Sequence, residues 1–172
     1  ICSNNCTFSN THGTAPEAGI DIEPNPDKNG ELVGVLNNII IKDCFSNNNA
    51  IADYNLSAGT KDKGSIKFIN CKSFNDGYGF YIYAFKAKQV SLEIENCATY
   101  NSTYSGYFHT KSNLKTSIKE ISIHRPCNTY RGEQYNRSGF SIKNSENISA
   151  ENVKVLNLRD EDFFYGCSLE NT

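Results

Sequence analysis

Ile66-Lys67-Phe68-Ile69-Asn70-Cys71 and Leu92-Glu93-Ile94-Glu95-Asn96-Cys97 are two copies of one pattern. Apolar residues recur at every second position and the run closes on Asn-Cys, as in a strand with one face in a core. Working outward, the same run returns as Ile39-Ile40-Ile41-Lys42-Asp43-Cys44 and as Ile121-Ser122-Ile123-His124-Arg125-Pro126-Cys127, and Cys6 closes an earlier one. After each cysteine comes Asn or Ser, and then a Gly or Ala opens a second strand. Those strands are Gly19-Ile20-Asp21-Ile22, Ala50-Ile51-Ala52-Asp53, Gly79-Phe80-Tyr81-Ile82, Gly106-Tyr107-Phe108-His109 and Gly139-Phe140-Ser141-Ile142. Val153-Lys154-Val155-Leu156-Asn157-Leu158 begins a sixth copy.

A period of roughly 26 to 30 residues, with a longer first copy, signals a stacked repeat architecture. The units lack a 3.6-residue period and a Leu/Asn consensus, which excludes helical solenoids and leucine-rich repeats. What remains is a parallel β-solenoid of about five to six coils, one domain over residues 1–172, with equivalent residues stacked about 4.8 Å apart. Stacking predicts ladders. Cys44, Cys71 and Cys97 read as a buried ladder of small apolar side chains, in preference to a disulfide framework. Seven cysteines is an odd number, and the close pairs of a zinc site are missing. Asn48 or Asn49, Asn75, Asn101 and Asn136 read as stacked turn residues in the left-handed conformation.

The repeated Ile-x-Ile-x-Asn-Cys and Gly-Phe/Ile-x-Ile units resemble the right-handed parallel β-helix proteins of the pectate-lyase-like superfamily, over essentially the whole chain. The resemblance implies an all-β, right-handed parallel β-helix and no single activity. Gly19-Ile20-Asp21-Ile22-Glu23-Pro24-Asn25 is similar to a stretch that recurs in β-helix proteins of bacteria and their phages, including ones that handle polysaccharides.

Net charge is −2 with both signs interspersed. No Lys/Arg-rich face suits nucleic acid, and no basic amphipathic helix or long apolar run suits a membrane. Ten Tyr and ten Phe, with no Trp or Met, favour strands. Neither Ile1-Cys2 nor Asn171-Thr172 carries a capping signal, so the expectation is a segment of a longer chain with coils missing at both ends.

Aligning the second strands gives two outward columns. The first holds Asp21, Ala52, Tyr81, Phe108 and Ser141, and the second holds Glu23, Tyr54, Tyr83, Thr110 and Lys143. A one-residue slip in the second copy turns Asp53 outward, and one in the fourth exchanges Phe108 for Tyr107 and His109. The face combines carboxylates with aromatic rings. Rings stack on sugar faces and carboxylates accept from sugar hydroxyls, so the chemistry suits an extended carbohydrate. Asp21 and Glu23 form the candidate catalytic pair, their Cα atoms about 6.6 Å apart on a strand. That spacing leans towards the wider carboxyl separation of inverting glycosidases. Solvated surface carboxylates explain the same pattern. Candidate substrate contacts are Glu17, Asp53, Tyr81, Tyr83, Phe108, His109, Lys143 and Arg131. Glu17 and Arg131 lie in insertions, residues 9–18 and 128–138, that border the face.

A polysaccharide hydrolase using Asp21 and Glu23 is the leading expectation, with no cofactor and a glycan chain as partner. The alternatives are β-elimination of a uronic-acid polymer, with Ca²⁺ on Asp21 and Glu23, and a non-catalytic glycan-binding or structural module such as an adhesin or tailspike segment. The resemblance implies an extracellular, cell-surface or virion setting, and a homotrimer for the tailspike type.

Overall fold

The computed structural model describes residues 2–14, 17–24, 35–59, 62–84, 87–126, 138–157 and 165–171. Cys127, Arg131 and Asn136 lie outside them. Among the described residues the chain forms fifteen strands in a nine-stranded and a six-stranded sheet. Every pairing is parallel.

Each repeat has three legs. The first contributes β1 (Cys2–Asn4), β2 (Thr7–Ser9) and β3 (Ala18–Ile22). The second contributes β4 (Val35–Lys42), β5 (Phe45–Asn47) and β6 (Ala52–Ser57), and the third β7 (Lys63–Ile69), β8 (Lys72–Phe74) and β9 (Tyr78–Tyr83). Further on, the first two legs merge into one bent strand. These are β10 (Gln89–Tyr100) before β11 (Ser105–Thr110), β12 (Lys115–His124) before β13 (Ser138–Lys143), and β14 (Ile148–Leu156) before β15 (Tyr165–Glu170). Each leg pairs with the same leg one repeat away, so the smaller sheet runs β3-β6-β9-β11-β13-β15.

Single residues in the left-handed conformation make the bends. Asp43, Asn70 and Asn96 (φ 51°, 53° and 49°) turn the chain between the first and second legs. Asn48, Asn75 and Asn101 (φ 57°, 56° and 57°) turn it into the third. Asn and Asp tolerate this region better than other side chains. Their carboxamides also bond along the stack: Asn96 Nδ2 donates to Asn70 Oδ1 at 2.9 Å, and Asn70 Nδ2 to Asp43 Oδ1 at 2.8 Å. Asn101 Nδ2 donates to Asn75 Oδ1 at 3.1 Å. The second set was expected from the sequence; the Asp43-Asn70-Asn96 ladder was not.

The register carries like residues over like. Ile41, Phe68, Ile94 and Ile118 align on the inside of the larger sheet. Ile20, Tyr54, Phe80, Tyr107 and Phe140 align on the inside of the smaller one. The Tyr54–Phe80 and Tyr107–Phe140 rings stack at 4.8 and 4.9 Å. A fully buried side chain of this size stabilises the fold by about 1.5–3 kcal/mol. Cys44, Cys71 and Cys97 are buried free thiols stacked between the sheets, with Lys72 N donating to Cys44 O and Ala98 N to Cys71 O.

One repeat departs from the expected register. Ala52 and Tyr54 are each 0 % exposed, Tyr54 faces the core, and Asn55 and Ser57 take the outward places. The sequence aligns Ala50 with the glycines that open the other strands, but pairing puts Asp53 in the glycine column. A phenol inside the core reads as polar in the sequence, yet Tyr54 donates to the Lys72 carbonyl at 3.0 Å.

Candidate functional site

The outer face of the smaller sheet presents two columns. Pairing aligns Asp21, Asn55, Tyr81, Phe108 and Ser141 in the first. It aligns Ser57, Tyr83, Thr110 and Lys143 in the second. Glu23 is exposed just past the end of β3, and the buried Pro24 follows it. Strands about 4.8 Å apart place Asp21 roughly 10 Å from Tyr81 and one row further from Phe108.

Asp21 is exposed, and its Oδ1 accepts from Asn55 Nδ2 at 2.6 Å. Glu17 sits apart, at φ 47°, and its carboxylate accepts from Gly13 N at 2.9 Å, which ties the first insertion back on itself.

The aromatic part is larger than the sequence columns suggested. Tyr78 meets Tyr81 and Tyr104 at 5.1 Å and Phe108 at 5.4 Å, and Tyr81 meets Phe108 at 5.6 Å. Burial and the neighbouring Tyr83 push the Tyr81 phenol up. Lys111 Nζ lies 5.9 Å from the Tyr83 ring centre, a cation–π arrangement. Tyr78 and Tyr104 were missed, although each stands three residues after a bend asparagine, Asn75 and Asn101. At the next repeat the face closes: Ser141 is 0 % exposed, and Lys143 pairs with Glu170 at 3.0 Å. The open stretch therefore runs from Asp21 and Glu23 to Tyr81, Tyr83 and Phe108.

Two expected contacts lie elsewhere. His109 faces the core, 0 % exposed, in line with Leu56, Ile82 and Ile142. Its Nδ1 is 2.7 Å from the Tyr107 hydroxyl, and burial lowers its pKa to about 3. It is a neutral inward residue, not a base on the face; of the two registers the sequence left open, the one with Phe108 outward is found. Asp53 is also 0 % exposed and turns inward, because the glycine column points to the corner between the legs. Arg131 lies outside the described residues.

A second aromatic row runs along the short legs. Phe45, Phe74, Tyr100 and His124 stack at 4.8, 4.5 and 4.7 Å. Beside them is a trough of about 700 Å³ lined by Asn70, Lys72, Asn96, Ala98 and Ser122. These rings cover each other's faces and present edges to solvent, so they serve the stack rather than a sugar ring. Among the described residues, no three His, Cys, Asp or Glu side chains converge as metal ligands.

Comparison with protein-family models, with curated proteins and with solved structures finds no match for this chain.

Proposed function

We propose that the chain is a right-handed parallel β-helix of the pectate-lyase-like type whose outer face takes an extended polysaccharide, and that Asp21 and Glu23 are the pair that hydrolyses it. The observation that carries this is the continuity of the face: an exposed carboxylate pair, then Asn55 and Ser57, then Tyr83 and the cluster of Tyr78, Tyr81, Tyr104 and Phe108. Aromatic rings supply flat apolar contact, and the amide and carboxylates supply partners for sugar hydroxyls. The Asn55 carboxamide orients Asp21 for the role of base or nucleophile, which leaves Glu23 for the role of acid. The setting that fits is extracellular, on a cell surface or on a virion, with a homotrimer if the chain belongs to a tailspike.

A non-catalytic glycan-binding module is the second reading. It is favoured by the exposure of both carboxylates, since a proton donor is usually held in an apolar pocket. Elimination ranks third: Lys143 is tied to Glu170, and His109 is buried.

The test is incubation of the protein, Asp21→Asn, Glu23→Gln and Tyr81→Ala with neutral and acidic polysaccharides. New reducing ends, lost in both carboxylate variants, are the expected result. Ultraviolet absorbance of unsaturated uronates would point to elimination. Binding that needs Tyr81, without turnover, would leave the recognition module. Neither binding nor turnover across a broad panel would refute the glycan reading.

A further inference from the structure

Asp53 interrupts a column of glycines. In the smaller sheet it aligns with Gly19 on one side and Gly79 on the other, and Gly106 and Gly139 continue the column. A Cβ at Gly79 would run into the Thr99 side chain, and one at Gly19 into Ser46 and Asn49. A side chain here must therefore enter the corner between the short legs and the smaller sheet. The Asp53 carboxylate does so: Oδ1 accepts from Asn49 Nδ2 at 2.5 Å, and Oδ2 from Phe74 N at 3.0 Å.

Asp76 enters the same corner from the bend between β8 and β9 and is 2 % exposed. Its Oδ2 accepts from the Ser73 hydroxyl at 2.5 Å, and its carboxyl lies beside that of Asp53. Oδ1 is buried without a hydrogen-bond partner, and so is the hydroxyl of Ser102 beside this carboxyl. Two ionised carboxylates are acceptors only and cannot bond to one another, and two like charges out of water strongly disfavour double ionisation. Asp53 already receives two donors from protein groups, whereas around Asp76 only the neutral hydroxyls of Ser73 and Ser102 are placed to donate. A proton on Asp76 turns its unpartnered oxygen into a donor and removes one of the two charges.

We propose that Asp53 and Asp76 share one proton, with Asp76 the acid and Asp53 the anion, and that the chain takes up this proton as the second and third repeats pack together. The fold is thus linked to pH through a group remote from solvent, independently of any glycan. Burial, then the Asp53 carboxylate, pushes Asp76 well above the usual carboxylate range. Asp53, from β6, is the ionisable group that faces it. Asn49, Ser46, Ser73, Thr99 and Ser102, which line the corner from the other legs, are neutral. Tyr54, next to Asp53, feels the same charge and stays a phenol, since burial pushes it up. Because the folded pKa is raised, the native state binds more protons than the unfolded one between the ordinary carboxylate pKa and the raised value. This contribution is fully present below that window and is lost as pH rises through it.

The test is urea unfolding of the protein and of Asp76→Asn between about pH 5 and pH 8. The amide keeps a donor towards Asp53 and cannot titrate. Relative to the variant, the wild-type folding constant is expected to fall as pH rises, by up to about tenfold per pH unit inside the window. A difference that stays flat with pH overturns the proposal. Infrared spectra of the wild type with isotope-labelled aspartate give a check that needs no folded variant. A protonated carboxylic-acid carbonyl band persisting at neutral pH supports the shared proton, and its absence overturns it.

Discussion

Phe80 and Tyr81 are neighbours in sequence and should behave as opposites. Phe80 is 0 % exposed and packs between Tyr54 at 4.8 Å, Phe68 at 5.5 Å and Tyr107 at 6.4 Å. Phe80→Ala removes the buried ring and leaves a cavity in a stack whose neighbours are held by their own strands, so little collapse is available. Such truncations cost about 3–5 kcal/mol. Tyr81 is half-buried on the outer face and leans on Tyr78 and Phe108. With ring pairs worth about 0.5–1.5 kcal/mol each, the two make Tyr81→Ala cost about 1–3 kcal/mol. The expected gap is about 2 kcal/mol, or roughly 1 M in urea midpoint at a slope of about 2 kcal/mol/M. Paired urea titrations with unchanged slopes measure it. Equal costs, or a larger cost for Tyr81, would refute the register from which both the core and the outer columns are built.

Asn70→Ala leaves at φ 53° a residue without the polar side chain that eases this conformation and breaks two ladder amide bonds, so thermal unfolding should show a loss of about 2 kcal/mol, with Asn70→Gly recovering the conformational part. His109 has a folded pKa of about 3, below its unfolded value near 6.5, so its contribution is present above that value and is lost as pH falls towards 3. Its sign is opposite to that of Asp76, and His109→Gln should reduce the acid sensitivity of a urea series run from neutral to mildly acidic pH. Cys44, Cys71 and Cys97 should react with a thiol reagent only when urea opens the stack, and reductant should leave the midpoint unchanged; fast labelling of all three in native buffer would contradict the ladder.

The period, the parallel sheets and the cysteine ladder were legible because Ile, Phe and Cys recur at fixed places against charged neighbours. The second repeat was not. Ala50 and Ala52 imitate the small residue that opens the other strands, while Asp53 stands where its relatives in the stack are glycine. His109 and Tyr54 were obscure for a related reason. Alternation sorts residues by polarity, and a polar side chain with an internal partner, the Tyr107 hydroxyl or the Lys72 carbonyl, breaks that rule without leaving the core. On the outer face Asp21, Tyr81, Tyr83 and Phe108 fell where the period put them. Tyr78 and Tyr104 did not, because they sit at the start of the third leg, where the sequence reads as turn.

The pairing of every leg with its counterpart one repeat away also governs how the chain reaches this state. A hairpin gains its first backbone bonds after closing a short loop, whereas here each new rung requires closing a segment about as long as the repeat. Loop closure rewarded so late gives a high contact order, which slows folding. Once two repeats have docked, however, their open edge templates the next, and assembly proceeds as one-dimensional growth. The same edge will accept strands from other chains while it waits, so refolding yield should fall with protein concentration more steeply than native stability would suggest.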